Sequence, residues 1–228
     1  MLESSIFMRF DIISLFPESF RSYFDVSILK RAQEKDLIHI ETHQLRDFAH
    51  DKHKTVDDTP YGGGAGMVLK VEPIAEALEH VKKISPAERT RVILFSAKGK
   101  VFTQEDVRRL ADYDRLILIC GRYEGVDERV AEFLVDEELS IGEYVLTGGE
   151  IPALVVVDSV SRLVPGVLGN AESAETESHS ALGTVEHPQY TKPEEWQGFR
   201  VPEVLLSGHH GNVSDWRMLM SKQKEKDQ

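Results

Sequence analysis

The chain has 228 residues, 41% of them apolar, and one cysteine, Cys120, which gives it room for one ordinary domain and a smaller appendage and a core that needs no disulfide staples. A single cysteine excludes an internal disulfide and a multi-cysteine zinc site, and it fits a reducing compartment, the cytoplasm. A formal net charge of −12 has the wrong sign for holding nucleic acid by bulk charge, so any RNA contact must rest on local patches.

The opening MLESSIF is too short and too acidic for a signal peptide, and no apolar run reaches the roughly 18 residues that span a bilayer; no membrane association is expected. MRFDIISLF (Met8 to Phe16) reads as a strand, followed by a helix from about Pro17. Residues 26 to 35 read as helix, and Leu37 to Leu45 alternates like a half-buried strand. A long polar loop, RDFAHDKHK and onward, leads to PYGGGAGM (Pro60 to Met67). Regular alternation follows: helix 71–81, strand Arg91 to Ser96, helix 103–111, strand Arg115 to Cys120, helix 126–133. Strands and helices alternating at these lengths predict an α/β fold, a parallel sheet with helices on both faces. Ligands of such sheets sit beyond the carboxyl ends of the strands, which points to the loops SAKG (Ser96 to Gly99) and CGRYEG (Cys120 to Gly125).

Glu150 to Gly166 opens with a carboxylate, has Pro152 in its first turn and is then apolar on nearly every side, so it reads as a helix buried in a core or against a second subunit. Its valines leave a strand as the alternative. Residues 170–186 are small, polar and acidic and read as a mobile linker; a short tail, helical from about Asn212, ends the chain.

Several motifs carry two readings. Gly62, Gly64 and Gly66 have a G-x-G-x-G spacing, but no buried strand precedes them and Met67 stands where a P-loop has Lys; they form a flexible turn or a backbone platform for a phosphate or base. Arg122, Tyr123 and Glu124 lie on a turn closed by Gly125, either a plain connection or a ligand loop. Gly148 and Gly149 precede the apolar helix, as a loop or as exposed amides at a helix N-terminus. Arg162, four residues after Asp158, is an i,i+4 ion-pair partner or a catalytic cation. Taken alone, Glu177 is a solvated carboxylate. His50, His53, His209 and His210 lack a set of metal-ligand partners, and no metal site is expected.

Taken together, DIISLFPESF, RDFAHDKHKTVDDTPYGGGAGM, CGRYEGVDERV, SIGEYVLTGGEIPALVVVDSVSRLVPGVLG, HPQYTKP and LLSGHH resemble, in order and spacing, the bacterial tRNA (guanine-37-N1)-methyltransferase family of the knotted SPOUT class. The resemblance implies a homodimer with the active site at the subunit interface, a deep trefoil knot in the sheet, and a small helical C-terminal domain. The implied layout is 1–168 as the S-adenosylmethionine (SAM) domain, 169–188 as the linker and 189–228 as a tRNA-contacting domain. Carried over by position, the cofactor residues are Leu94, Phe95, Ser96, Gly99, Gly121, Glu124, Ile141, Gly142, Glu143, Tyr144, Val145, Leu146, Gly148 and Gly149. The RNA contacts are Arg46, His50, Lys52, His53, Lys54, Gly63 and Gly64. Mg2+ is an assisting ion in the family, and no motif here identifies its ligands.

The implied chemistry is specific. Nitrogen-1 of guanine is protonated at neutral pH, so a base must free its lone pair, and a cation must meet the charge that develops toward oxygen-6. The resemblance makes Arg162 that cation. The family's base is an aspartate in a Ser-Ala-x-x-Asp-Ser-Phe block, matched here by SAETESH (Ser173 to His179), which puts Glu177 in that role and His179 where the family has phenylalanine. The extra methylene matters at a scale of about 1 Å; Glu175 is the alternative base if the register shifts. The family continues in basic helices where this chain has SKQKEKDQ, so the expected RNA affinity is either weaker or carried more by the basic 46–54 loop. The competing readings are another knotted RNA methyltransferase, such as a ribose-hydroxyl enzyme, and a non-catalytic paralogue that binds SAM or RNA.

Overall fold

A computed structural model of the protein describes residues 8–168 and 186–224. These fall into two compact units that divide after Gly169. The larger unit is built on five parallel strands, β1 (Met8–Ser14), β2 (Ile38–Gln44), β5 (Thr90–Val101), β6 (Arg115–Cys120) and β7 (Glu137–Ser140), in the order β2-β1-β6-β5-β7. The α/β parallel architecture expected from the alternation is therefore present.

Side chains alternate across this sheet and feed two cores. Phe10, Ile12, Leu116, Leu118 and Cys120 face one side, under α1 (Arg21–Phe24), α2 (Ser27–Glu34), α4 (Gln104–Ala111) and α6 (Glu150–Ser161). Ile13, Ile117 and Ile119 face the other, under α3 (Val71–Ile84) and α5 (Glu128–Phe133). Strand β6 is buried at all six positions, because it is central and covered on both faces. Helix α4 starts at a capping box: the Thr103 side chain accepts the Asp106 backbone N–H and the Thr103 N–H donates to Asp106 Oδ2 at 3.1 Å, closing orphan donors at the N-terminus.

Several boundaries differ from the sequence reading. Pro17 opens a single 3-10 turn (Pro17–Phe20) before α1, and α5 begins at Glu128 rather than 126, with the Asp127 carboxylate accepting the Arg129 N–H. Strand β2 does not alternate cleanly, since only Ile38 and His43 are buried in it; it is the sheet's edge. The long polar loop contains a two-residue ribbon, β3 (Asp57–Asp58) against β4 (Val68–Leu69). Helix α6 is a helix, not a strand, and ends at Ser161 rather than Gly166. Strand β7 is an element that the sequence reading lacks.

β7 changes the topology. It pairs with β5 twice, through Ile93–Phe95 and again through Lys100 and Val101, with SAKG as an excursion between the two stretches. After β7 the chain returns past the end of β5 to β6: the Gly149 N–H donates to Gly121 O at 2.9 Å, and Gly148 bridges Arg122. Glycines stand at both crossings. A Cβ on Gly99 would lie 2.7 Å from the Glu138 carbonyl carbon, and one on Gly149 would lie 2.6 Å from Cys120 Cα, so neither position has room for a side chain.

Between β1 and β2, Asp11 is fully buried and is met by Arg115 Nε at 2.7 Å, Arg9 Nε at 2.8 Å and His43 Nε2 at 2.8 Å. Burial alone would raise its pKa, but hydrogen bonds from His43, Arg9 and Arg115 outweigh that and hold it well below the usual carboxylate range. Asp11, Glu41 and His43 lie within cation-binding distance of one another, but two guanidiniums already engage Asp11, so the cluster is a salt-bridge network.

The smaller unit contains a hairpin, β8 (Glu195–Trp196) with β9 (Phe199–Arg200), and the helices α7 (Glu203–Leu206) and α8 (His210–Lys224). Helix α8 begins two residues before the expected Asn212. Trp216 stands 6.3 Å from the rings of both His187 and Tyr190. Most of the expected linker, and Glu177, Glu175 and the SAETESH block within it, lies outside the described residues. Among the described residues no helix is long and apolar enough to cross a membrane.

Candidate active site

Because the sheet is parallel, all its strand ends and following loops converge on one edge. There the ends of β5, β6 and β7 and the 141–149 segment enclose a cleft of about 440 Å3, within the range of about 300–1,000 Å3 common for small-molecule sites. Its wall includes Leu94, Phe95, Ser96, Gly121, Glu124, Ile141, Gly142, Tyr144, Val145, Leu146, Gly148 and Gly149. Twelve of the fourteen residues expected to hold a cofactor are thereby brought together. Gly99 is not on the wall, because it is pressed against the β7 backbone, and Glu143 points away as an exposed residue.

The loop that closes the cleft is held by a charged clamp. Glu150, buried in the first turn of α6, accepts the Ser14 hydroxyl on Oε1 at 2.7 Å. Its Oε2 is 2.9 Å from Arg122 Nε; the pair is off the hydrogen-bond angle, so the contact is ionic. Arg122 Nη1 donates to Thr147 O at 3.1 Å, and the guanidinium lies 4.6 Å from the centre of the Phe16 ring, a cation–π distance. The ends of β1 and β6, the cleft loop and the start of α6 are thus tied at one point. Cys120 beside it is buried, and burial, helped by the Glu150 charge, pushes its thiol well up, which makes it an inert packing residue.

The glycine-rich loop adjoins this edge. The Glu124 N–H donates to Met67 O and the Leu69 N–H to Gly125 O, both at 3.0 Å, so PYGGGAGM and CGRYEG are stitched together. A Cβ on Gly66 would come within 2.7 Å of Glu124 Oε1. Gly63 and Gly64 are exposed, with positive φ and free space around them. In the 46–54 loop, Asp51 accepts the Thr55 N–H at 2.7 Å and the His53 N–H at 3.0 Å; the Thr55 contact, chiefly, lowers its pKa. Lys54 pairs with Asp47 at 2.7 Å and His50 with Glu76 at 2.6 Å, while Arg46 Nη1 donates to Lys54 O. Much of the loop's basic charge is therefore engaged within the chain, and Lys52 and His53 are exposed.

Arg162 is not at the cleft. It caps the far end of α6, about 18 Å from Glu150 for twelve residues at 1.5 Å each. Asp158, its expected i,i+4 partner, accepts the Tyr23 hydroxyl at 3.2 Å. Glu128 and Glu138 are on the cleft wall without having been singled out in the sequence, while Lys98 and Arg122, also on the wall, lie in the SAKG and CGRYEG loops to which the sequence points. Glu138 sits in the acidic stretch EELS, which gives no strand signal, whereas Arg122 was legible inside CGRYEG.

Residues 8–228 match the family model described as "tRNA (Guanine-1)-methyltransferase TrmD". The chain is 56% identical over 214 residues to a tRNA (guanine-N(1)-)-methyltransferase of Desulforamulus reducens, covering 94% of this chain and 84% of that protein. It is also 56% identical to the proteins of the same name from Dehalococcoides mccartyi, with 92% and 84% coverage, and Geotalea uraniireducens, with 94% and 85%.

Proposed function

Since the chain belongs to the tRNA (guanine-1)-methyltransferase family, we propose that it carries a methyl group from SAM to nitrogen-1 of guanosine 37 in tRNA, with the cofactor in the cleft above β5, β6 and β7. It is an enzyme, a tRNA guanine-N1 methyltransferase; the position in the tRNA, the cofactor and the site assignments are our reading. The observation that carries it is the convergence of twelve expected cofactor residues on one cleft at the sheet's carboxyl edge.

The cleft suits an adenosyl group. Its volume fits a ligand of that size, and Gly148 and Gly149 leave bare backbone where any Cβ would strike Arg122 or Cys120. Bound there, SAM supplies an electrophilic methyl group. The protein's own tasks are to orient the guanine, to take the nitrogen-1 proton and to meet the charge developing on oxygen-6. Glu177 is our proposed base and Arg162 the cation. We assign the return of the 141–149 segment past β5 to β6 as part of the trefoil knot, the 46–54 and 60–67 loops as RNA contacts, and the C-terminal unit as a further tRNA-contacting domain.

We propose a homodimer, because the catalytic role assigned to Arg162 and its placement are reconciled by a second copy. A guanidinium about 18 Å along α6 does not reach a base beside the cleft of its own protomer. Ile151 and Val155, however, are 52% and 39% exposed, and at 100° per residue they share a helix face with Arg162. Two copies packed antiparallel across that stripe bring Arg162 of the partner subunit to the cleft end of α6.

A single-turnover assay with labelled SAM on an unmodified tRNA carrying guanosine at positions 36 and 37 tests this. The parent is expected to form 1-methylguanosine, and Glu177→Gln to slow it about 10²- to 10⁴-fold, the worth of a positioned base. Label in a ribose methyl, or an unimpaired variant, would overturn the reaction or the base respectively.

A further inference from the structure

One carboxylate on the cleft wall has no role in the reading above. Glu138 lines the cleft from β7, and its Oε1 is buried with no hydrogen-bond partner among the described residues. A buried acceptor left unpaired costs stability, and native chains keep few of them. Its backbone is fixed in place: Glu138 stands opposite Leu94 in the β5–β7 ladder, and Gly99 runs so close that a Cβ there would lie 2.7 Å from the Glu138 carbonyl carbon. The neighbouring cation on the wall, Lys98, hydrogen-bonds Glu128 at 2.5 Å and feels the Glu138 charge without hydrogen-bonding its Oε1, and Arg122 is taken by Glu150.

We infer that Glu138 is a cofactor-binding residue whose carboxylate accepts a hydrogen bond from a donor on SAM, an inference that rests on SAM occupying this cleft. An ionised carboxylate only accepts, so the matching groups are the ammonium of the methionyl end or a ribose hydroxyl. Either supplies what no described residue supplies to Oε1. The carboxylate therefore costs the ligand-free protein stability and contributes to binding, a trade between stability and function.

The test uses the full chain, with S-adenosylhomocysteine and 5′-methylthioadenosine as probes, and calorimetry and thermal melting as readouts. Glu138→Ala is expected to weaken S-adenosylhomocysteine binding by about tenfold to a hundredfold, the range for a hydrogen bond to a charged group. Its ligand-free melting temperature should be equal to or above the parent's, whereas a structural carboxylate would lower it. Glu138→Gln, which keeps an acceptor oxygen and the volume, should bind with intermediate affinity. 5′-Methylthioadenosine retains the ribose and lacks the ammonium. If its binding falls equally in Glu138→Ala, the donor is a hydroxyl; if it is unchanged, the donor is the ammonium.

Unchanged S-adenosylhomocysteine affinity in Glu138→Ala overturns the inference, and so does weaker binding accompanied by a lower ligand-free melting temperature. Leu146→Arg, which fills the cleft from another of its lining residues, separates this from failure of the underlying reading. If the parent does not bind S-adenosylhomocysteine, or if Leu146→Arg binds it as the parent does, the cofactor is not in this cleft and both readings fall.

Discussion

Glu150 and Arg122 show how much of the proposed cofactor site is built from residues that need not touch a ligand. Glu150 holds Arg122, Arg122 holds the Thr147 carbonyl, and Ser14 closes the other carboxylate oxygen while accepting the Phe16 N–H at 2.9 Å. Removing one partner leaves the other charge largely out of water. Glu150→Ala should therefore cost about 2–3 kcal/mol of stability by urea unfolding and weaken SAM binding through a loosened 141–149 loop. This is the reverse of the pattern expected at Glu138, where stability and binding move in opposite directions. Both carboxylates are glutamates in polar surroundings to a reader of the sequence. Their opposite roles come from what surrounds each Oε atom.

At the scale of elements, α6 and the segment before it carry the argument. Gly149 lies where the returning chain touches β6, so Gly149→Val must push two backbones apart. We expect a loss of more than about 3 kcal/mol, in the class of severe backbone and packing defects, seen as failure to accumulate soluble protein or a collapsed melting transition. Helix α6 reads from the sequence as apolar all round. In the fold Pro152, Ala153, Val156, Val157 and Val160 are buried, while Ile151 and Val155 remain exposed beside Arg162. If that stripe is the dimer face, Arg162 acts in trans. Arg162→Ala and Leu146→Arg would each inactivate a homodimer, yet co-expressed mixed dimers should regain methyl transfer at one site, because one subunit supplies the intact cleft and the other the intact cation. A mixed dimer as inactive as its parents would place Arg162 in cis, and an active Arg162→Ala homodimer would place it outside the reaction.

At the scale of the whole molecule, the buried network around Asp11 ties β1, β2 and β6 together and links folding to pH. The folded carboxyl titrates well below its ordinary value of 3.8, so the unfolded chain binds the proton more readily at low pH. The stability that Asp11 contributes is fully present above about pH 4 and is lost as pH falls below that toward the folded value. Urea midpoints measured from pH 6 down to pH 3 should fall for the parent, and fall less steeply for Asp11→Asn, which should be the less stable protein at pH 6. Equal slopes would mean that other carboxylates dominate acid unfolding.

Much was determined by the sequence alone: the alternation of apolar runs and amphipathic helices specified a parallel α/β sheet, and Gly-bearing loops after strands marked the edge that carries the cleft. Those features are local, because apolar runs and periodicity report burial, and glycines report backbone freedom, wherever the chain later goes. The tertiary structure decided the rest. EELS becomes a strand only because β5 offers it a ladder on two stretches, against its weak intrinsic preference. The second pairing makes SAKG an excursion and carries Gly149 to β6. The clamp joins residues 14, 16, 122, 147 and 150, the glycine-rich loop meets CGRYEG through backbone bonds, and Arg162 is set a helix length from the cleft. Each of these depends on backbones brought together across long separations in the chain, and periodicity within any one segment carries no information about which distant segment will lie beside it.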